Sequence, residues 1–561
     1  MQDVSTSSPS PVIVFGLDGA TWDIARPLLD AGRMPNLARL VAQGASGPLA
    51  STVPPISAAA WITFMTGQNP GRHGVYQFRK MDMRQYGGYR DEFATSQDYV
   101  GRSFIELAGQ RGRRVAAVGV PMTYPPFPVN GFLVSGFPRP FGPQAQVYPP
   151  AKAEALGRWD EVQDSFNFSL SAAKTVETSD YWVRRYTDIS LAALAEERFD
   201  LFLVVWNSTD NIPHLFWKYT DPAFPAYDAT GAAQFGEVIN HQYEVADAEI
   251  GRLLAALPDL DQATVLVMSD HGMGPHPHRC VNFGAWLAGQ GLLTLRQGAA
   301  SQPSLLGRTV RQVRRRLPRQ WMDRLRDRLP AGLRADLYAR QMNLDQIDWA
   351  GTAAYRLKVF PSVEGIVLNV AGRQPQGIVQ PGAPYEAVRD RLLAAAAALV
   401  DPQTGRPIVA RASRREELFE GPYVEDIPDI LLELHPDYTG GSALQGELVT
   451  PLPLEELSAY SGSHSPTGLF VLHGPGVRRG HWQEGAHIQD LAPTLMHIMG
   501  LPVASWMDGQ VLQELFEPSA VRPAAYAEYD VAERDPHSAG LSAADEEAIR
   551  AQLAGLGYLR D

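Results

Sequence analysis

A chain of 561 residues with 45% hydrophobic content can bury a large core, as one big domain with insertions or as two or three domains. Its formal net charge of −13 argues against a nucleic-acid-coating role, because phosphate backbones are gripped by clustered Lys and Arg. The single cysteine, Cys280, excludes an intramolecular disulfide framework and a thiolate metal cluster, so any metal must be held by Asp, His and hydroxyl groups.

The opening "MQDVSTSSPSPVIVFGLDG" lacks a basic segment followed by a long apolar stretch, and no run of eighteen apolar residues occurs later. The expectation is a cytoplasmic protein without a membrane span. "PVIVFGLDG" reads as a strand that ends at Asp18. In "TVPPISAAAWITFMTG", Pro54 and Pro55 block a helix before them while "SAAAWITFM" can form one, which predicts Ser57 as its N-cap. A serine there points its oxygen toward the positive end of a helix dipole, a position that suits a nucleophile or a bound phosphate.

"FDLFLVVWNSTD" is a second apolar run ending in polar residues, among them Asn207 and Asp210. His214 follows Asp210 by four residues, a spacing that places carboxylate and imidazole on one helix face. Residues 236–256 place Val238, Tyr243, Ile250, Leu253 and Leu254 roughly on one face of a helix. "ATVLVMSDHG" is a third apolar run, ending at Asp270 and His271. Short runs rich in Val, Leu and Phe without alternation predict strands buried on both faces of a mostly parallel sheet. With helices between them, the fold class is α/β, in a three-layer αβα arrangement. Ligands of such sheets collect at the carboxyl ends of the strands, where all of these polar clusters lie.

Residues 283–460 read as an inserted cap. Leu306, Val310, Val313, Leu317 and Trp321 recur at helical spacing among arginines, predicting amphipathic helices broken at Pro318 and Pro330. A solvated helix face explains those arginines better than an anion site. "YRLKVFPSVEGIVLNV" reads as strands and "YEAVRDRLLAAAAALV" as a helix. In "GSHSPTGLFVLHGPG", His464 stands among small residues just before an apolar run, where its ring can enter a site without a bulky neighbour. Taken singly, each piece has a structural explanation as a surface turn, a helix cap or a core histidine.

The joint order of Asp, Ser, Asp-x-x-x-His, Asp-His-Gly and Gly-x-His resembles the alkaline phosphatase superfamily, most closely its type I phosphodiesterases and nucleotide pyrophosphatases. The resemblance extends to "MPNLARLVAQG", "TGQNPGRHGV" and the late "IQDLAPTLMHIMGLPVASWMDG". It implies an alkaline-phosphatase-like core over residues 1–282 and 461–561, with 283–460 inserted. It further implies two divalent ions, zinc by ligand type, with manganese or iron tolerated. Asp18, Asp270 and His271 would hold one ion, which also binds the Ser57 oxygen, and Asp210, His214 and His464 the other. Ser57 would attack the phosphorus of a small phosphate ester or nucleotide, forming a phospho-serine. Gly272 would let the backbone turn away after the two adjacent ligands.

Many nucleotide pyrophosphatases have Thr at the position of Ser57 and an Asn three residues later; here that later residue is Ala60, which leaves Asn207 as the candidate substrate contact. The same superfamily offers a phosphomonoesterase as an alternative. A sulfatase needs a Cys/Ser-x-Pro-x-Arg context that "SAAAW" does not supply, and a phosphoglycerate-mutase-like enzyme would carry its large insertion soon after the nucleophile. A catalytically dead binding protein could lose ligands freely, whereas this chain keeps all six and the serine.

Overall fold

The computed structural model describes residues 10–140, 146–155, 170–257, 262–296, 343–531, 541–556 and 558. A ten-stranded sheet runs through the molecule. Its order is His481–Trp482, Ala45–Ala50, Thr467–His473, Thr264–Met268, Val12–Leu17, Leu201–Trp206, Val115–Val120, Gly131–Ser135 and Val147–Tyr148, with Ala486–His487 pairing beside Ala45–Ala50. The strands from Thr264–Met268 to Gly131–Ser135 are all parallel to one another. Thr467–His473 runs antiparallel to both of its neighbours.

The three apolar runs are the centre of this sheet and are buried on both faces, which is why their sequences show no polar alternation. Val12 and Val14 join one apolar cluster while Ile13, Phe15 and Leu17 join the other, and Leu201–Trp206 divides in the same way. Helices Trp22–Asp30, Pro35–Gln43, Ala172–Glu196 and Val238–Ala256 cover the second face. Helices Ser57–Thr66, Phe104–Gln110 and Leu491–Ile498 cover the first. In Val238–Ala256, Tyr243, Ile250, Leu253 and Leu254 are buried as the helical spacing predicts, and Val238 packs at the edge of the same cluster.

Within the inserted region, Ala354–Phe360, Val363–Leu368, Ile430–Leu434 and Val409–Arg414 form a separate four-stranded antiparallel sheet, flanked by helix Ala383–Ala397. Both segments expected from sequence are therefore present. The arginine-rich segment containing Leu306 to Trp321 lies outside the described residues. No helix among the described residues is long and apolar enough to cross a membrane.

The motif segments lock the layers together. Asp247 on helix Val238–Ala256 accepts hydrogen bonds from the Asn36 and Leu37 amides, tying the start of Pro35–Gln43 to its neighbour. Asp508 accepts from the Asn69 amide and side chain and from Arg72 Nε, joining the segment after Ser57–Thr66 to the late part of the chain.

Candidate active site

Strands Val12–Leu17, Leu201–Trp206 and Thr264–Met268 are adjacent and in register, with Leu17 opposite Trp206 and Gly16 opposite Met268. The residues that follow them, Asp18, Asn207 to Asp210, and Asp270 with His271, therefore emerge side by side at one sheet edge. Asp18, Asp210, Asp270 and His271 are all at most 2% exposed, so their charges and lone pairs are removed from water. Gly19 makes the crowding possible. Its φ of +72° and a Cβ position only 3.0 Å from Asp210 Cα and Cβ admit glycine best.

Helix Ser208–Phe216 begins directly after its strand and carries both Asp210 and His214. An antiparallel pairing of Gly272–Pro275 with Gly462–Ser465 places Met273 opposite His464 and so returns the late histidine to the site. The ligand atoms converge in two groups, Asp18–Asp270–His271 and Asp210–His214–His464, each with its atoms within 4.8 Å of one another. The His271 and His464 rings stack between the groups at 3.7 Å and 15°. These are the same two sets that the resemblance implies.

The histidine tautomers follow from the backbone around them. Nδ1 of His214 faces the Gly462 carbonyl at 2.9 Å, that of His464 the Pro55 carbonyl at 2.8 Å, and that of His271 the Gly272 carbonyl at 3.1 Å. A carbonyl only accepts, so each Nδ1 carries the proton and each Nε2 keeps a lone pair. Asp210 Oδ1 then lies 3.2 and 3.1 Å from two lone-pair nitrogens, which are themselves 3.0 Å apart. Consistently, Asp210 Oδ1 and Asp270 Oδ2 are buried without a hydrogen-bond donor among the described residues. Lone pairs converging without protons are the arrangement a divalent cation satisfies, and the Asp and His donors fit it.

Electrostatics lead to the same conclusion. Burial, then the charges of Asp270 and Asp210, raise Asp18 well above the usual carboxylate range. Burial and Asp210 push Asp270 up to about 7. Burial, with His464 beside it, holds His271 well below the usual imidazole range, and burial lowers His464 as well. Asp210 goes the other way: despite its burial, His214 and His464 hold it well below the usual carboxylate range.

Ser57 differs from its expected role. The helix Ser57–Thr66 has Ile56 at its N-cap position, with no side-chain cap, and Ser57 is its first helical residue. Its hydroxyl turns instead to His271 Nε2 at 3.2 Å and Asp18 Oδ1 at 3.5 Å, placing the oxygen at the Asp18 group. Gly272 also acts through another cause than a turn. It lies inside the strand Gly272–Pro275, where a Cβ would fall 2.1 Å from the Thr467 carbonyl oxygen, so close packing requires the glycine. Asn207 lines the cavity, and its amide donates to Asp18 Oδ2 at 2.9 Å. Ala60 is fully buried in the helix.

Three site residues escape the sequence reading. Trp61 donates its indole N–H to Asp18 Oδ2 at 3.1 Å, and its position four residues after Ser57, one turn along the same helix, was a usable signal. Tyr460 stacks on the His214 ring at 4.4 Å with its hydroxyl 3.1 Å from Nε2. Tyr558 lines the same cavity as Ser57, and nothing in its sequence surroundings points to the site.

The model of the type I phosphodiesterase/nucleotide pyrophosphatase family matches residues 12–464. The chain belongs to that family. It is a phosphohydrolase of the phosphodiesterase/pyrophosphatase type, and its family is metal-dependent. No curated protein matches it. Among solved structures, human ectonucleotide pyrophosphatase/phosphodiesterase 5 aligns at 14% identity and TM-score 0.42, covering 90% of this chain and 100% of that one. An inactive variant of the murine protein in complex with AMP aligns at 15% identity and TM-score 0.42, covering 91% and 100%. Phosphonoacetate hydrolase from Sinorhizobium meliloti 1021, in complex with phosphonoformate, aligns at 17% identity and TM-score 0.47, covering 88% and 95%.

Proposed function

We propose that the protein hydrolyses phosphodiesters or pyrophosphate-linked nucleotides through a covalent phospho-serine on Ser57. The observation that carries this is the convergence of six Asp and His ligand atoms in two buried groups, with the Ser57 oxygen at one of them, in a chain of this family. Two divalent cations, held by Asp18, Asp270 and His271 and by Asp210, His214 and His464, would supply Lewis-acid charge and lower the pKa of the attacking hydroxyl and of water. Zinc suits this donor set, with manganese or iron as alternatives.

In the first displacement the Ser57 oxygen gives up its proton and forms a bond to phosphorus as the ester oxygen leaves with its electron pair and takes up a proton. In the second, water loses a proton and attacks the same phosphorus, the bond from phosphorus to the Ser57 oxygen breaks, Ser57 takes up a proton to recover its hydroxyl, and a phosphate monoester departs. Trp61 and Asn207 hold Asp18 in place by donating to its Oδ2. The Nδ1 contacts of all three histidines aim Nε2 inward, so the ligands are oriented before any substrate arrives. Residues 283–460 act as a cap over this edge, and Phe360 from its sheet lies with its ring 5.0 Å from that of His464.

The deciding experiment compares kcat/KM for an aryl phosphate monoester and its methyl diester, with zinc, manganese or iron added back singly to stripped protein. Diester preference is expected. A monoester preference of a hundredfold or more, about 2.7 kcal/mol of transition-state discrimination, overturns the substrate reading.

A further inference from the structure

The cavity at Ser57 is small, and residues from the far end of the chain make it so. Helix Ala543–Gly555 is capped by Ser542, whose hydroxyl accepts from the Asp545 amide at 3.1 Å, and it buries Ile549 and Leu553 against the main apolar cluster. Two polar ties fix its position. Gln552 Oε1 accepts from the Arg139 amide at 3.0 Å, and Arg550 pairs with Asp91 at 2.8 Å while lying over the Phe93 ring. Beyond the helix, the Tyr558 amide donates to the Leu553 carbonyl at 2.9 Å. The Tyr558 ring packs 4.6 Å from Phe78 and 5.9 Å from Phe137, and it lines the cavity together with Ser57.

What remains between Asp18, Ser57 and Asp210 on one side and Gln552, Leu556 and Tyr558 on the other is about 80 Å³. Sites for drug-sized ligands start near roughly 300 Å³, and one water occupies about 30 Å³. A phosphoryl group with a methyl-sized second ester suits such a space. A base with its ribose is too large for such a space, whose wall includes the Tyr558 ring and the Leu556 side chain.

We propose that Tyr558, delivered by helix Ala543–Gly555, is a specificity determinant that restricts the site to phosphodiesters with a small second ester group and excludes nucleotides. This rests on the phosphodiesterase reading of the same site and narrows its substrate class. Exclusion comes from the volume of the ring, so Tyr558→Phe keeps it and Tyr558→Ala removes it.

The test measures kcat/KM of the metal-loaded full chain for methyl 4-nitrophenyl phosphate and for a nucleoside 5′-(4-nitrophenyl phosphate). The expected preference of the unaltered protein is at least a hundredfold for the methyl ester. Tyr558→Ala shrinks that ratio tenfold or more, chiefly through KM for the nucleoside ester, and Tyr558→Phe leaves the ratio within threefold. Calorimetric binding of methylphosphonate and of a nucleoside 5′-phosphonate follows the same order without turnover. Leu556→Ala, on the same wall, moves the ratio in the same direction and guards against a folding defect specific to Tyr558→Ala. Equal efficiency on both esters in the unaltered protein, or equal changes on both in the Ala variants, overturns the proposal while leaving the phosphodiesterase reading intact. No turnover of either ester with any metal overturns both.

Discussion

Two regions of this molecule bury several charged groups, and they treat them in opposite ways. In the inserted sheet, Glu364 meets Arg356 Nε at 2.5 Å, and Asp429 meets Arg373 Nη2 at 2.6 Å and Arg415 Nη1 at 3.4 Å. Burial alone would raise Asp429, but the Arg373 hydrogen bond and charge hold it below the usual carboxylate range. At the strand-end site, Asp18 and Asp270 are as deeply buried, yet their donors are an indole, an amide, a hydroxyl and a backbone N–H, while Asp210 faces the imidazoles of His214 and His464, which hold it low despite its burial. Asp270 is consequently pushed up to about 7, by burial first and the Asp210 charge second. A buried carboxylate with its own guanidinium is a structural element, whereas one whose donors are neutral is a candidate cation ligand.

The contrast breaks most visibly at Ser57. Ser57→Ala is expected to lower kcat by about a thousandfold or more, as removal of a nucleophile does. Because Ser57 does not cap its helix, the substitution should leave the urea midpoint nearly unchanged and the metal content close to that of the parent. Activity within tenfold of the parent, measured on a methyl aryl phosphate, removes Ser57 as nucleophile.

Arg373→Met strikes the self-neutralised region instead. It leaves Asp429 buried with only the more distant Arg415, the Tyr385 hydroxyl and the Leu368 amide, and should cost about 3 kcal/mol in urea unfolding. The metal stoichiometry of the folded variant should not change. A loss below 1 kcal/mol means that Asp429 does not depend on Arg373 for its charge.

The two regions also predict opposite pH dependences for metal-free protein. Asp270 has a folded pKa above its unfolded value. Its contribution is fully present below pH 4 and is lost as pH rises through about 7, amounting to about 4 kcal/mol between those limits. Asp429 has a folded pKa below its unfolded value, so its contribution is present above pH 4 and is lost as pH falls through the folded pKa. Asp270→Asn should therefore stabilise metal-free protein at pH 8 and abolish binding at the Asp18 group. Saturating metal should flatten the slope of the parent between pH 4 and 7 and leave that of Asp270→Asn unchanged. A slope between pH 4 and 7 that is the same in metal-free Asp270→Asn as in the parent refutes the assignment.

Much of this site was legible because its ligands follow strands whose apolar runs are self-evident. Asp18, Asp270 and His271 stand at the ends of such runs, and the spacing of Asp210 and His214 announces one helical turn. His464 needed the pattern of the whole chain, since its place is set by an antiparallel pairing of segments some 190 residues apart in sequence. The role of Ser57 as a cap was misread because a serine before "AAAW" looks the same whether its hydroxyl serves the helix or a neighbour across the site. Tyr558 left no trace in the sequence, because a single aromatic residue beyond an amphipathic helix carries no spacing that points to a distant pocket.

The smallest expected effect tests what holds an uncompensated carboxylate in place. Asp18 Oδ2 takes hydrogen bonds from Trp61 Nε1 and from Asn207 Nδ2, both neutral donors, while its Oδ1 faces His271 and Ser57. Neutral donors orient the carboxylate without cancelling its charge, so the charge stays available to a cation. Asn207→Ala removes one donor and leaves Trp61, and it should weaken metal binding at the Asp18 group by about tenfold, roughly 1.4 kcal/mol. The Asp210 group, whose nearest carbonyl contacts are Gly462 and Pro55, should bind as before. Competition with a chelator resolves the two events. Equal weakening at both groups would mean that Asn207 supports the strand end generally, and the distinction between oriented and neutralised carboxylates would not hold for Asp18.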